Sequence, residues 1–146
     1  MKIFNELREP TEGPSPQNSV VPKRRACKVL FVDDSIDLLN LLKIELSDLG
    51  YDVLVASDGE AALQLVYEQH PDIIISDIRM PVMDGYEFVQ RLRSSPEFSS
   101  IPAIAMTSYG TKRDVERAFA MGYSAHIRKP AETEELSTLI KRLLPH

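Results

Sequence analysis

The sequence predicts an α/β fold in which five parallel strands alternate with five helices in a doubly wound arrangement. Short apolar runs rich in β-branched residues recur along the chain, and each is followed by a segment whose apolar residues have helical spacing. The run 73–75 is isoleucine at every position, which suits a strand buried on both faces of a parallel sheet. Short connections in a repeated βα order favour helices on both faces of that sheet.

Five strands are predicted from apolar runs that end at a polar residue or a turn. They are Lys28–Val32, Val53–Ala56, the isoleucine run 73–75, Ala103–Met106 and Ala125–Ile127. Right-handed crossovers between them give a flavodoxin-like (βα)5 sheet with strand order 2-1-3-4-5. Ligands of such sheets collect beyond the carboxyl ends of the strands, so the residues that follow each strand are the first candidates for function.

The helices are predicted from apolar spacing and from capping residues at their ends. The first helix is Ser35–Leu49, which ends before Gly50, and the second is capped by Asp58 and ends near Gln69. The third is Glu87–Arg93, capped by Asp84, and the fourth is capped by Thr111 and ends at Gly122. The last helix begins at Thr133 or Ala131. Each helix fits between two predicted strands, so the whole pattern is consistent with one domain.

The chain divides into a lead-in and a folded domain. Residues 1–25 are rich in proline and polar residues, a composition that cannot bury a core and that predicts a flexible N-terminal tail or linker. Residues 26–146 carry the regular βα pattern and form the predicted domain.

Charge and composition exclude several classes of function. The formal net charge is −5, which gives no electrostatic case for nucleic-acid binding by the whole chain. The single cysteine, Cys27, excludes an internal disulfide and fits a reducing compartment. No apolar run approaches the roughly 20 residues that span a bilayer, and polar residues interrupt the N-terminus where a signal peptide would be apolar. We therefore expect no nucleic-acid or membrane partner and a cytoplasmic location.

Residues suited to phosphoryl transfer stand at the ends of the predicted strands. They are Asp33 and Asp34 after strand one, Asp77 after strand three, Thr107 after strand four and Lys129 after strand five. In the predicted strand order the three carboxylates converge, and they repel one another unless a cation joins them. Mg²⁺ is the expected cofactor because it binds carboxylate and phosphate oxygens. The central Asp77 is the best candidate for a nucleophile that forms an aspartyl-phosphate.

The motifs resemble the receiver domain of the two-component response-regulator family. The resemblance covers about residues 26–146 and rests on Val32-Asp33-Asp34, Asp77-x-x-Met80-Pro81-x-Met83-Asp84-Gly85, Thr107 and Lys129-Pro130. It implies a chemotaxis-response-regulator-like signalling domain, either stand-alone or part of a hybrid kinase. Such a domain is not an enzyme, although it promotes its own phosphorylation and dephosphorylation.

The resemblance also implies a role for each acidic residue. Asp77 would accept the phosphoryl group from a phosphohistidine. Asp34 and Asp77 would bind Mg²⁺ by their side chains, Asp33 mostly through water, and Arg79 through its backbone carbonyl.

The resemblance also implies a conformational switch that involves Lys129, Thr107 and the residue three positions before the lysine. Lys129 would contact the phosphoryl group, and Thr107 would move toward it. The family usually has Tyr or Phe three residues before the lysine, where this chain has His126. Two interpretations are open: a half-buried strand histidine without a switching role, or a switch residue whose titratable ring makes the active conformation weaker or pH-dependent.

Two further positions bear on phosphoryl access in similar receivers. They are Arg79, two residues after Asp77, and Tyr109, two residues after Thr107. A large cation and an aromatic ring should shield the phosphoryl group from water, so a long-lived phosphorylated form is expected. The alternative is that both side chains point to solvent.

The expected partner is a sensor histidine kinase or a histidine phosphotransfer protein, which in this family packs beside helix one. The predicted core stripe of that helix is Leu38, Leu39, Leu42, Leu46 and Leu49. Leu41 and Ile44 lie outside the stripe and form either a broader buried face or a docking patch. The surface of helix four, strand five and helix five is the usual site for an output partner or a homodimer in similar domains.

Other functions on related sheets lack their motifs here. An aspartate-nucleophile phosphatase would need Asp-x-Asp-x-Thr after strand one, a dinucleotide binder would need G-x-G-x-x-G, and a flavin site would need hydroxyl- and glycine-rich loops where this chain has carboxylates. The remaining alternative is a receiver-like adaptor that binds partners without being phosphorylated. The complete set of strand-end residues argues against it.

Overall fold

A computed structural model describes residues 25–108 and 110–144. The described residues form five strands and five helices in alternation. The strands are β1 (Lys28–Val32), β2 (Asp52–Ala56), β3 (Ile73–Asp77), β4 (Ala103–Thr107) and β5 (Ala125–Arg128). The helices are α1 (Ile36–Asp48), α2 (Gly59–Gln69), α3 (Gly85–Ser94), α4 (Lys112–Met121) and α5 (Thr133–Leu143). None of these described helices is both long enough and apolar enough to cross a membrane.

The strands form one parallel sheet in the order β2-β1-β3-β4-β5, which confirms the predicted flavodoxin-like topology. In the register, Val32 of β1 lies opposite Ser76 of β3, and Thr107 of β4 lies opposite Arg128 of β5. The carboxyl ends of β1, β3, β4 and β5 therefore lie along one edge of the sheet. The predicted tail, residues 1–25, lies outside the described residues apart from Arg25.

The sheet separates two apolar layers. Leu30 and Ile74 face the layer made with α2, α3 and α4, whereas Phe31 and Ile75 face the layer made with α1 and α5. All four side chains are fully buried. Burial on both faces explains why the strand sequences are apolar at successive positions and show no alternation.

Three helices begin after their predicted caps, and α1 begins after Ser35, the predicted first residue of that helix, which is its N-cap. The side chains of Ser35, Asp58, Asp84 and Thr111 each accept a hydrogen bond from the backbone N–H three residues further on. Helix α5 begins at Thr133, one of the two predicted starts, with Glu132 at its N-cap. The Thr133 hydroxyl donates to Glu45 of α1 and so ties the two helices together.

The predicted core stripe of α1 is confirmed at its centre and wrong at its end. Leu39, Leu42 and Leu46 are buried. Leu49 is 52% exposed, because it lies at the C-cap, beyond the last helical residue. Leu41 and Ile44 are 52% and 62% exposed, so a broader buried face is excluded and α1 has an apolar outer surface.

Candidate functional site

The side chains predicted to form a site lie together at the carboxyl edge of the sheet. Asp33 and Asp34 follow β1, Asp77 ends β3, Thr107 ends β4, and Lys129 follows β5. Asp33, Asp77 and Thr107 are buried, whereas Asp34 is exposed. The parallel register brings together residues that are up to 96 positions apart in the chain, from 33 to 129.

The three carboxylates form a cluster that fits a hard divalent cation. Asp33, Asp34 and Asp77 each offer an oxygen, and these oxygens all lie within 4.8 Å of one another. Oδ1 of Asp33 accepts the Ser35 N–H at 2.9 Å. Oδ2 of Asp33 is buried; it has no aligned hydrogen-bond donor among the described residues, although the Lys129 ammonium lies 2.7 Å away. Three carboxylates that converge at one edge of the sheet form an all-oxygen set, which is chemically suited to Mg²⁺.

Lys129 supplies a positive charge on the same side of the sheet. Its Nζ lies 2.7 Å from Asp33 Oδ2 and 3.2 Å from Asp77 Oδ2. Its backbone N–H donates to the Thr107 carbonyl at 2.8 Å, which fixes the start of the β5–α5 loop beside β4. The peptide bond between Lys129 and Pro130 is cis.

Burial and charge act in opposite directions on the ionisable groups of the site. Burial raises the pKa of Asp77 and the negative charge of Asp33 adds to this, whereas Lys129 opposes it; the net direction is upward. Burial lowers the pKa of Lys129, but its contacts with Asp33 and Asp77 outweigh that effect, and the net direction is again upward. Lys129 is therefore a firmly protonated partner for the acidic cluster.

The β3–α3 loop is packed tightly against the end of β3. A Cβ atom on Gly85 would lie 2.5 Å from the Asp77 carbonyl oxygen and 2.8 Å from Ile78 Cα, so this close approach requires glycine. Met80 and Met83 are buried and pack in the apolar layer made with α2, α3 and α4. The loop therefore holds the backbone of Asp77 in a fixed position.

Two residues that support the β3–α3 loop were not predicted from the sequence. Ser76 Oγ donates to the Asp77 carbonyl at 2.8 Å, and Tyr123 Oη donates to the Gly85 carbonyl at 2.8 Å. Ser76 carried a usable signal, because it is a polar residue within an otherwise apolar strand. Tyr123 carried none, because it precedes β5 and reaches this loop only in the folded chain.

Thr107 is hydrogen-bonded to His126 rather than to the acidic cluster. The distance from Thr107 Oγ1 to His126 Nε2 is 2.8 Å. Burial, and secondarily the positive charge of Arg128, lower the pKa of His126. His126 is thus half-buried, and its ring faces the hydroxyl that the family resemblance implies would move.

The structure describes one of the two residues that were predicted to control the access of water to the phosphoryl group. Arg79 has an exposed side chain, and its backbone N–H lies 3.4 Å from Asp77 Oδ1. Tyr109 lies outside the described residues. Shielding by these side chains and metal binding through the Arg79 carbonyl both stay predictions.

An apolar groove of about 490 Å³ borders the site on the side of α1. Leu38, Leu41 and Leu42 of α1 line one wall, and Met106 and Pro130 lie on the other. Lys129 also lines the groove, so the part of the groove near this residue is polar and lies toward the acidic cluster.

Comparison with known protein families gives one clear match. Residues 29–141 match the family model described as the response regulator receiver domain. An uncharacterised 14.6 kDa protein of Leptolyngbya boryana is 37% identical over 114 residues, which cover 78% of this chain and 87% of that protein. The probable transcriptional regulator ycf27 of Cyanophora paradoxa is 38% identical over 117 residues, which cover 80% of this chain and 48% of the regulator. The chain thus spans about half the length of that regulator.

Solved structures with the same fold include receivers of two kinds. The chemotaxis response regulator CheY4 of Vibrio cholerae superposes with a TM-score of 0.77 at 35% identity, covering 82% of this chain and 99% of CheY4. The receiver domain of the sensor histidine kinase PA1611 of Pseudomonas aeruginosa PAO1 gives a TM-score of 0.75 at 29% identity, covering 81% of this chain and 97% of that domain. That structure has a magnesium ion coordinated in its active-site cleft.

Proposed function

The chain belongs to the response regulator receiver domains of two-component systems, and on that premise we propose that Asp77 is its phosphoacceptor. A carboxylate oxygen of Asp77 attacks the phosphorus of a phosphohistidine, the P–N bond breaks, and an aspartyl-phosphate forms. The observation that carries the proposal is the position of Asp77, which lies within 4.8 Å of two other carboxylate groups and 3.2 Å from the Lys129 ammonium.

The neighbours of Asp77 suit the charge that develops during transfer. Lys129 neutralises one side of the phosphoryl group, and Thr107 donates a hydrogen bond to it once its hydroxyl turns away from His126. Asp33, Asp34, Asp77 and the Arg79 carbonyl would hold Mg²⁺. When bound, Mg²⁺ supplies further neutralisation of the phosphoryl oxygens.

The proposal includes a shielded, long-lived phosphorylated form, which requires the Arg79 side chain, exposed in this structure, to fold over the phosphoryl group. The backbone of Arg79 is fixed beside Asp77, so its side chain starts next to the phosphoryl position. The expected contribution of Tyr109 rests on the sequence alone. A dephosphorylation half-life of seconds would contradict this part of the proposal.

The phosphodonor partner is proposed to bind along α1. The groove beside Lys129 and the exposed Leu41 and Ile44 offer an apolar surface next to the acceptor, which suits a helix of a sensor histidine kinase or a histidine phosphotransfer protein. An output partner or a second copy would use the α4–β5–α5 surface, where Phe119 is 48% exposed. The proposal retains a cytoplasmic location and includes no nucleic-acid or membrane partner.

Phosphorylation distinguishes this function from that of a receiver-like adaptor. The protein is incubated with acetyl phosphate, with either Mg²⁺ or EDTA, and its intact mass is measured. The proposal predicts addition of one phosphoryl group with Mg²⁺, little addition with EDTA, and loss of the group on treatment with hydroxylamine, which cleaves acyl phosphates. An unchanged mass under all conditions would favour the adaptor.

A further inference from the structure

The Nε2 edge of the His126 ring lies close to both Thr107 and Gly110. Nε2 lies 2.8 Å from Thr107 Oγ1, so a hydrogen bond joins β5 to the end of β4. A Cβ atom on Gly110 would lie 3.3 Å from both Cε1 and Nε2 of the ring, which shows that Gly110 lies close to this edge. The orientation of the Thr107 hydroxyl is therefore coupled to the state of the His126 ring.

A threonine hydroxyl has only one hydrogen to donate. If Thr107 donates that hydrogen to Nε2 of His126, it cannot donate to a phosphoryl oxygen on Asp77. If Nε2 carries a hydrogen, the ring donates to Thr107 Oγ1 and the hydroxyl hydrogen stays free for the phosphoryl group. A neutral ring permits either arrangement, whereas a protonated ring permits only the second.

We propose that His126 is a positioning residue for Thr107, and that a proton gained by its ring favours the arrangement in which Thr107 donates to the phosphoryl group. This inference rests on the proposed function of Asp77. The added positive charge acts in the same direction, because the phosphoryl group that Thr107 contacts is an anion.

The environment of the His126 ring, including the charged groups near it, sets its pKa. Arg128 lies on the same strand, and Glu135 and Arg142 of α5 line a cavity of about 390 Å³ beside the ring; the contacts from β4 and its loop, Thr107 and Gly110, carry no charge. Burial, followed by the charge of Arg128, lowers the pKa of His126 below its ordinary value of 6.5. The ring is therefore neutral at pH 7 and gains its proton on acidification.

Beryllofluoride, a mimic of the phosphoryl group, is the probe. Its affinity is measured by NMR titration of the full chain with saturating Mg²⁺ between about pH 8 and pH 5.5. His126→Phe keeps a planar ring without nitrogens, and His126→Gln keeps an N–H donor that does not titrate. On acidification the affinity of the parent relative to His126→Phe should rise about 3- to 10-fold, the range expected for one hydrogen bond. The affinity of His126→Gln relative to His126→Phe should stay constant.

The control variant is His70→Asn, which removes an exposed histidine at the C-cap of α2 and should keep the pH profile of the parent. A constant affinity ratio between the parent and His126→Phe would overturn the proposal and leave phosphorylation of Asp77 untouched. Absence of beryllofluoride binding in the parent would instead contradict the proposed function.

A second measurement does not require a variant at position 126. The ring nitrogens of His126 are observed by NMR in the parent and in Thr107→Val, which keeps the shape of threonine and lacks the hydroxyl. The proposal predicts a changed Nε2 shift and a changed titration midpoint for His126 in Thr107→Val. An unaltered His126 signal would show that the two side chains are not coupled.

Discussion

Lys129 Nζ lies 2.7 Å from Oδ2 of Asp33, a carboxylate with no exposed surface. The ammonium group therefore lies against the cluster of carboxylates that is proposed to bind Mg²⁺. Since like charges repel, the lysine and a divalent cation compete for the same buried oxygens. This relationship makes Lys129 both a partner for the phosphoryl group and a competitor for the metal.

Lys129→Met, which keeps the length of the side chain and removes its charge, should separate these two roles. We expect Mg²⁺ affinity of the unphosphorylated protein to rise about 3- to 10-fold, because the competing cation is gone, and labelling by acetyl phosphate to fall. Isothermal titration with Mg²⁺ measures the first effect. Lys43→Met, at an exposed lysine of α1, is the control and should change neither quantity. Weaker Mg²⁺ binding by Lys129→Met would contradict the competition.

Arg93 joins α3 to the segments before β4 and after α4. Its Nε donates to the Gly122 carbonyl at 2.8 Å, and its Nη1 donates to the Ser99 carbonyl at 3.0 Å and the Ile101 carbonyl at 2.7 Å. Arg93→Met keeps part of the apolar stem but loses these bonds, so the free energy of unfolding should fall by about 2–3 kcal/mol. Urea denaturation measures the change.

Arg91→Met is the matched control for that experiment. Arg91 is on the same helix and pairs with Glu87 on the surface, where its side chain is 58% exposed. Such exposed pairs contribute at most about 0.5 kcal/mol. Equal losses for the two variants would show that the carbonyl contacts of Arg93 add no stability beyond that of a surface charge.

Val82 has an unfavourable backbone conformation. Its φ is 68°, in the left-handed region that β-branched residues avoid, and its side chain is 91% exposed. Val82→Asn should raise the free energy of unfolding by about 1 kcal/mol, because asparagine tolerates this conformation. Val82→Ala removes the β-branch but lacks the short polar side chain that can hydrogen-bond the local backbone, so it should gain less. A lower melting temperature for Val82→Asn would contradict the assignment of strain to this residue.

Cys27 should react slowly in the folded protein. Burial, followed by the negative charge of Asp72, raises its pKa from 9.0 to about 11. Because the thiolate is the reactive form, alkylation by iodoacetamide at pH 8 should be roughly 100-fold slower in the folded protein than in urea. Equal rates in the two states would show that folding does not raise the pKa of the Cys27 thiol.

The same shift predicts the direction of an alkaline effect on stability. The folded-state pKa of Cys27 exceeds the unfolded value, so the folded chain holds this proton more tightly. Its contribution to stability is complete below pH 9 and is lost as the pH rises toward 11. Cys27→Ala should lack that part of the alkaline decline in urea-denaturation experiments.

The order of strands and the cluster at their ends were predictable from local sequence. Runs such as 73–75 identify buried strands, and caps such as Asp84 identify helix starts, because both depend on neighbouring residues. Once the parallel order is known, Asp33, Asp77 and Lys129 must meet at one edge of the sheet. The observed strand order and the family match agree with these predictions from local sequence.

Contacts set by three-dimensional packing were not predictable. Leu49 fits the periodic stripe of α1 but is exposed, since the helix ends one residue before it. Tyr123 reaches Gly85 across 38 residues, a distance at which sequence periodicity carries no information. The His126–Thr107 bond likewise depends on side-chain orientation, which the sequence left open between two interpretations.

The location of the phosphoryl group tests the central proposal most directly. The parent, Asp77→Asn and the control Asp37→Asn, which changes an exposed acid in the first turn of α1, are treated with acetyl phosphate and Mg²⁺ and mapped by peptide mass spectrometry. The parent and Asp37→Asn should each carry one phosphoryl group on the peptide that contains Asp77, and Asp77→Asn should carry none. Labelling of Asp77→Asn to the extent of the parent would contradict the assignment of the phosphoacceptor.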